Sequence, residues 1–480
     1  MKFARSLKLL GSLAMIVFAR PLFSQQEGTM YFMNNLPQVV YSNPAMIPKY
    51  KFSLGLPGSS VFVLYSNSGF SYDDVITKKS GTVTADLPKL NSKLENKNYI
   101  TNAVQADLFR LSFRFSPRMY FTFNVTAKAY NRLLIPKDLT GLIINGTAPF
   151  INGTATLSPK IESMGYVESA WGASYAVNKD LVVGARIKYL KGFANVTTES
   201  SSLTISLNND YTITAAAGLD SKSSGVQNFE QNGFDISKSW QDYTNNNGYA
   251  FDLGATYRLF DRLTLGASVV DIGRIQWTNN TYGYSLNKSK ANYTFQGIDL
   301  NKVLQGDHNY IDAQVDTVKN RFTTTEQKIG AYSTPLPGKV YFSGNYEIKR
   351  NFTVGALFYA EIFRDRFSPS ATASINKHFG RRFSGSLSYT ASNNSYNNIG
   401  TGLALNGAHF QFYVVGDNIL GAPLALASGG NLNPYINNTK LFTLRLGLNI
   451  VAQWDSPQER QPYPKKKRKK SITPSTTGTK

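Results

Sequence analysis

The stretch LVVGARIKYL (181–190) decides how the chain folds. Leu181, Val183, Ala185, Ile187 and Tyr189 fall on one face of an extended strand, and Gly184, Arg186 and Lys188 on the other. Successive side chains of a strand point to opposite faces, so alternation over about ten residues marks a strand with one apolar and one polar side. In FDLGATYRL (251–259) Phe251, Leu253, Ala255, Tyr257 and Leu259 alternate with Asp252, Gly254, Thr256 and Arg258. The pattern returns in 340–348, 352–358 and 383–389, and in 444–450, where Leu444, Leu446, Leu448 and Ile450 flank Arg445, Gly447 and Asn449.

The connections between these strands separate a soluble sheet from a membrane barrel. Asn178-Lys179-Asp180, Asp261-Arg262 and Lys349-Arg350-Asn351 join strands tightly, and they alternate with polar stretches at 73–105, 133–165, 220–248, 301–337 and 419–438. Short turns at one end and long loops at the other characterise an outer-membrane barrel, with lipid outside and a polar lumen. Only a closed barrel satisfies every strand hydrogen bond inside a bilayer. The expected fold is all-β: a single up-and-down transmembrane antiparallel β-barrel of about 14 strands. Arg186, Lys188, Asp252, Arg258 and Arg445 are the expected lumen-facing charges. Tyr120, Phe121, Tyr189, Tyr257, Phe260, Tyr341, Tyr359, Phe363, Tyr389, Phe412, Tyr413 and Phe442 near strand ends fit interfacial girdles.

Composition agrees. The 480 residues hold no Cys, 28 Tyr, 30 Phe and only 17% charged residues, below the ~25% of a soluble domain. With no Cys there is no disulfide framework and no thiolate chemistry. The net charge of +21 sits largely at the ends. Lys2, Arg5, Lys8 and Arg20 precede residue 25, and Lys465, Lys466, Lys467, Arg468, Lys469, Lys470 and Lys480 close the chain.

Residues 1–24 have the basic start, short apolar run and polar exit of a cleaved export signal. That signal contradicts a nuclear destination for the PKKKRKK run (464–470), and no nucleic-acid partner is expected. The 456–480 tail reads as a disordered extension, or as an electrostatic contact of Lys465–Lys470 with an anionic polymer, lipid headgroups or an acidic envelope protein. Between the ends, 51–455 is the expected barrel. Residues 25–50 do not alternate; Asn34-Asn35-Leu36-Pro37 and Asn43-Pro44-Ala45 predict a compact, non-strand segment there. Leu56-Pro57-Gly58 interrupts the first apolar strand, and since Pro removes a ladder donor, Pro57 and Gly58 predict a kink.

NNLPQVVYSNPAMIP (34–48), SLGLPGSSVFVLYSNSGFSYDDV (53–75), LTLGASVVDIGRIQW (263–277), FQGIDL (295–300), LPGKVYFSGNYEI (336–348) and NNIGTGLALNGAHFQFYVVGDNIL (397–420) together resemble an uncharacterised family of Bacteroidota outer-membrane barrels carrying a domain of unknown function. More distantly, Asn43-Pro44-Ala45 is similar to the plug of the long-chain fatty-acid channel superfamily, which also includes barrels attached to the type IX secretion system. That resemblance implies a 14-stranded barrel with an N-terminal hatch around Asn43, Pro44 and Ala45. It also implies a kinked strand, here at Pro57 and Gly58, opening toward outer-membrane lipid.

Catalytic readings find little. His308, His378 and His409 lie far apart, without metal-ligand spacing, and there is no Gly-x-Ser-x-Gly elbow or Walker sequence. No enzyme activity and no cofactor is expected. Two functions remain open: a channel for hydrophobic or amphiphilic small molecules, or a structural barrel that anchors a secretion or gliding apparatus through its loops or tail.

Overall fold

The computed structural model describes residues 28–79, 82–210, 212–227, 245–286, 291–298, 301, 304, 309–364, 366–392, 395–418 and 440–454. The export signal, the basic tail with Lys465–Lys470, and His308 lie outside the described residues.

Fourteen antiparallel strands close into a barrel. β1 comes in two pieces, Tyr50–Gly55 and Ser60–Asn67. It is followed by β2 (Lys97–Ser116), β3 (Met119–Pro136), β4 (Lys160–Ala176), β5 (Leu181–Leu207), β6 (Asn246–Phe260) and β7 (Leu263–Trp277). The circuit continues through β8 (Gly338–Lys349), β9 (Phe352–Phe363), β10 (Arg366–Phe379), β11 (Phe383–Ser392), β12 (Ser395–Asn406), β13 (Phe410–Asp417) and β14 (Leu441–Trp454). Each strand pairs with its sequence neighbour. β1 closes the circle by pairing with β2 and β14 at once: Val63 lies opposite Val104 on one side and Leu444 on the other.

The burial of side chains is inverted relative to a soluble protein. On β5, Gly184, Arg186, Lys188 and Leu190 are buried while Val183, Ala185 and Ile187 are exposed. On β14, Arg445 and Asn449 are buried while Leu446 and Leu448 stand outside. The apolar face therefore looks outward and the polar face inward, as bilayer immersion requires.

Two expectations need correction. Of the aromatic girdle residues, Tyr120, Tyr341, Tyr359, Phe363 and Tyr413 are buried inside the barrel. A period of two allows only one of the neighbours Tyr120–Phe121, or Phe412–Tyr413, to face lipid. Tyr257, Phe260, Tyr389 and Phe412 are the exposed ones. The long polar stretches are also not simply loops. β2 starts at Lys97, β3 runs to Pro136, and β5 continues to Leu207. There it pairs with Ile213–Ser224, which is joined in turn by Thr281–Leu286 and Asn292–Phe295. These extensions rise beyond the lipid, where neither face has to be apolar, so alternation vanishes although the ladder continues. At this end the β9–β10 and β11–β12 ladders run to the pairs Phe363–Arg366 and Ser392–Ser395.

Candidate functional site

The segment from Gly28 to Lys49 folds back into the barrel and fills its lumen toward the short-turn end. Met30, Tyr31, Leu36, Val39, Asn35, Gln38 and Asn43 are all essentially fully buried. Only a four-residue helical turn (Gly28–Tyr31) and a 3₁₀ turn (Pro37–Tyr41) are regular, and most of the segment's polar side chains bond to the wall. Thr29 Oγ1 donates to Asp417 (2.7 Å), Tyr31 Oη bonds Ser343 (2.9 Å), Asn35 Nδ2 donates to Ser384 (2.9 Å), and Gln38 Nε2 donates to Asn449 (2.9 Å). Apolar contacts add to this: Met30, Met33 and Leu36 pack on Ala404, Tyr413 and Val415, while Tyr31 stacks on Tyr341 with ring centroids 5.6 Å apart.

Asn43-Pro44-Ala45 is a turn with its own side-chain clamp. Met46 N–H donates to the Asn43 carbonyl at 3.0 Å, and Ala45 N–H donates to Asn43 Oδ1 at 2.9 Å. Asn therefore serves as a local backbone mimic, and Pro supplies a preset φ at the second turn position. The outward carbonyls of Ser42 and Pro44 accept from Ser268 Oγ (2.6 Å) and Ser174 Oγ (2.7 Å). The wall is thinned to receive the turn. A Cβ on Gly184 would overlap the Pro44 carbonyl, and one on Gly254 would overlap Asn43 Oδ1. Gly355 gives way in the same manner to Phe32, Gly400 to Thr29 and Gly402 to Met33.

Beside this plug lies a buried ionic belt. Lys188 Nζ is 2.7 Å from Asp252 and 2.5 Å from Asp271; Arg186 is 3.1 Å from Asp252. Lys128 reaches Glu168 at 2.6 Å, and Lys339 reaches Asp271 at 2.8 Å. A group of four cations and three carboxylates out of water is held by mutual attraction only if every partner is present. Asp271 owes its place to a β-bulge. Its φ is +60°, and both Val270 and Asp271 turn inward opposite Asp252. The Asp271 N–H donates to Asp252 Oδ1 at 2.8 Å, fixing the bulge from across the ladder. Bulges of this kind re-aim side chains.

The plug meets the belt at Tyr41. Its hydroxyl donates to Asp107 Oδ2 at 2.9 Å, and the guanidinium groups of Arg186 and Arg445 lie 5.2 and 5.7 Å from its ring centroid. Arg445 also lies over Phe62 and donates to Ser60 Oγ at 3.2 Å. Arg186, Lys188, Asp252 and Arg445 thus share one region of the lumen. Arg258 does not join them. It keeps the inward parity but is exposed, because β6 has by then run past the filled interior to the short-turn mouth.

Alternation points to the charges on β5, β6 and β14 but misses Lys128, Glu168, Asp271, Lys339, Asp107 and Arg110. For Asp271 the available signal is an acid inside the apolar run LGASVVDIG, where the period slips by one. For Glu168 it is the lone acid among small residues in VESAWGASYA.

Pro57 and Gly58 form the centre of a type II turn inserted into β1. Ser59 N–H donates to the Leu56 carbonyl at 2.9 Å, and Gly58 has a φ of +75°, the conformation such a turn requires at its third residue. Between the pairs Gly55–Arg110 and Val61–Ala106, β1 advances six residues while β2 advances four. The insertion is stitched to both neighbours: Gly58 N–H donates to the Asp107 carbonyl (2.9 Å), and Leu448 N–H donates to the Ser59 carbonyl (2.7 Å).

Toward the long-loop end the lumen changes character. Phe62, Leu64, Tyr130, Met164, Tyr166, Leu190, Ile275, Trp277 and Phe363 form one buried apolar layer across the barrel. The open spaces next to the belt are small: about 20 Å³ around Tyr41, Lys128 and Lys339, and about 30 Å³ around Leu64, Tyr130 and Tyr166, each of the order of a water or two. Among the described residues no group of three His, Asp or Glu is placed to hold a metal.

A closed, 14-stranded β-barrel plugged by its own N-terminal segment is the class of protein these features define. The chain belongs to a family of unknown function, DUF5723, whose model matches residues 44–417. No curated protein sequence matches it. Among solved structures it is similar to a mutant of the TodX monoaromatic hydrocarbon channel (11% identity, TM-score 0.42, 87% of this chain and 94% of that one). It is also similar to a Pseudomonas aeruginosa FadL homologue (10% identity, TM-score 0.39, 90% and 100%) and to the Pseudomonas putida toluene transporter TodX (10%, 0.37, 90% and 94%). At such identities and overlaps the likeness assigns no function to this chain.

Proposed function

We propose that the protein is a gated channel of the bacterial outer membrane, exported by the signal in residues 1–24, and that it passes hydrophobic or amphiphilic small molecules. The observation that carries this reading is the buried apolar layer of Phe62, Leu64, Tyr130, Tyr166, Leu190 and Trp277. A water-filled pore is lined by polar groups, whereas this layer offers an apolar solute a solvent of its own kind. Residues 28–49 are the hatch, with Asn43, Pro44 and Ala45 at its seat, and Pro57–Gly58 is the lateral exit toward lipid.

Asp107 links the two. Its carboxylate accepts from the hatch residue Tyr41, and its carbonyl accepts from Gly58 at the interrupted strand. A hatch movement that releases Tyr41 therefore loosens the same residue that stitches the insertion to β2.

A second reading, a barrel that anchors an envelope apparatus, draws support from the narrowness of the spaces beside the belt, about 20 and 30 Å³ among the described residues. Uptake of a fluorescent long-chain alcohol into proteoliposomes separates the two. The channel reading expects saturable uptake that increases when Tyr41→Phe removes the bond to Asp107. Uptake equal to protein-free vesicles, together with a stoichiometric protein retained on purification from the native envelope in mild detergent, would overturn it in favour of anchoring.

A further inference from the structure

We infer that the outer face of β5, β6 and β7, toward the long-loop end, is a binding site for a phosphate-bearing glycolipid of the outer leaflet. The register stacks three outward rows there. Nearest the membrane centre lie Ile187, Phe251 and Ile272; next come Tyr189, Tyr249 and Arg274; last come Lys191, Asn247 and Gln276. Each row is two residues, roughly 7 Å, beyond the previous one. Polarity thus climbs in the order of a lipid, from acyl chain through interface to phosphate.

Row order alone would describe an ordinary aromatic girdle. The concavity goes further: Ile187, Tyr249, Phe251, Ile272, Arg274 and Tyr332 border a cavity of about 730 Å³ on the outer surface, within the roughly 300–1,000 Å³ of small-molecule sites. Ile187 and Tyr249 are each 68% exposed, so the cavity walls present apolar surface to whatever fills it. The polar end is prepared as well. Tyr189 Oη donates to Asn247 at 2.7 Å, the Tyr189 and Tyr249 rings are 5.4 Å apart, and Lys191 Nζ lies 5.4 Å from the Tyr189 ring. Neither Lys191 nor Arg274 has an acidic partner among the described residues, in contrast to Lys128, Arg186, Lys188 and Lys339 inside. Two unneutralised cations above an apolar cavity complement a phosphorylated headgroup and its chains.

The bulge at Asp271 creates this face. By slipping the alternation of β7 by one, it sends Ile275 and Trp277 inward and Ile272, Arg274 and Gln276 outward. The same irregularity that builds the hub of the ionic belt therefore builds the outer site.

The inference rests on the outer-membrane barrel reading but not on transport. Its test is native mass spectrometry of the full-length protein, folded in detergent and titrated with purified diphosphoryl lipid A or with its dephosphorylated form. Diphosphoryl lipid A is expected to remain bound to the parent at least tenfold more than the dephosphorylated form. Arg274→Gln with Lys191→Gln should abolish that preference, Arg274→Lys should keep part of it, and Arg350→Gln at the opposite end should leave it intact. Equal retention of the two lipids, or a preference untouched by the double substitution, would overturn the inference, as would a protein cross-linked through this face in the native envelope. Absence of long-chain alcohol uptake with the lipid preference preserved would count against the channel and leave this site standing.

Discussion

Gly184 lies so close beneath Pro44 that a Cβ on the glycine would overlap the proline carbonyl. The two residues are 140 positions apart in the chain, and neither explains itself alone. The glycine is a notch in β5, and the Asn43-Pro44-Ala45 turn is what the notch receives.

A side chain in that notch must push the hatch. With no native Cys, Ser42→Cys provides a clean reporter at a position 1% exposed. It should resist a water-soluble thiol reagent in the parent and react at least ten times faster when combined with Gly184→Val. An unchanged labelling rate would mean that the hatch is not seated through this contact.

The ionic belt should behave as one unit. Asp271→Asn leaves Lys188 and Lys339 short of a carboxylate, and breaking a buried pair from one side costs about 3–5 kcal/mol. Urea unfolding in detergent micelles measures this. Because Lys188 and Asp252 are 2.7 Å apart, the double substitution Lys188→Met with Asp252→Asn should cost clearly less than the sum of its singles. Additive losses would mean the charges act independently.

The turn in β1 gives a purely conformational test. Gly58 has a φ of +75° and open space around its Cβ position, so a substitution meets backbone strain and no steric clash. Gly58→Val should destabilise by about 1–3 kcal/mol, and Gly58→Asn by distinctly less, since Asn tolerates this region. Equal losses in thermal unfolding would point to some other cause.

The two faces of β14 should both matter, for different reasons. Leu446→Arg puts a cation into lipid and should cost about 2–4 kcal/mol near the midplane. Alternation alone would leave Asn449 replaceable, as a polar residue facing a watery lumen. It is instead fully buried, bonded to Gln38, Gln411 and Arg110 at 2.9, 2.9 and 2.6 Å. Asn449→Leu should therefore also destabilise, by about 1–3 kcal/mol, through stranded partners. Heat-modifiability on gels tests both; a silent Asn449→Leu would mean that water replaces the lost bonds.

Arg186, Lys188, Asp252 and Arg445 can be sorted to one face from alternation because a strand in lipid has a local rule: every second residue must be apolar. Arg258 obeys the same rule and yet ends in solvent, since periodicity fixes a direction and says nothing about depth. Tyr120 and Phe363 escape it in a related way, as aromatic residues suit both a lipid interface and a filled lumen. The Pro57-Gly58 interruption is visible because Pro and Gly constrain their own backbone, whatever surrounds them.

By itself, then, the sequence determined the features that local chemistry dictates: a barrel with an apolar exterior, a non-strand N-terminal segment, and a break in its first strand. The tertiary structure alone decided which distant residues meet. It aligned the notches at Gly184 and Gly254 with Asn43-Pro44, gathered Lys128, Glu168, Lys188, Asp252, Asp271 and Lys339 from six different strands, and set Tyr41 on Asp107. Those meetings depend on the stagger of the strands and on the bulge at Asp271. A one-residue shift in either would send a different set of side chains into the lumen.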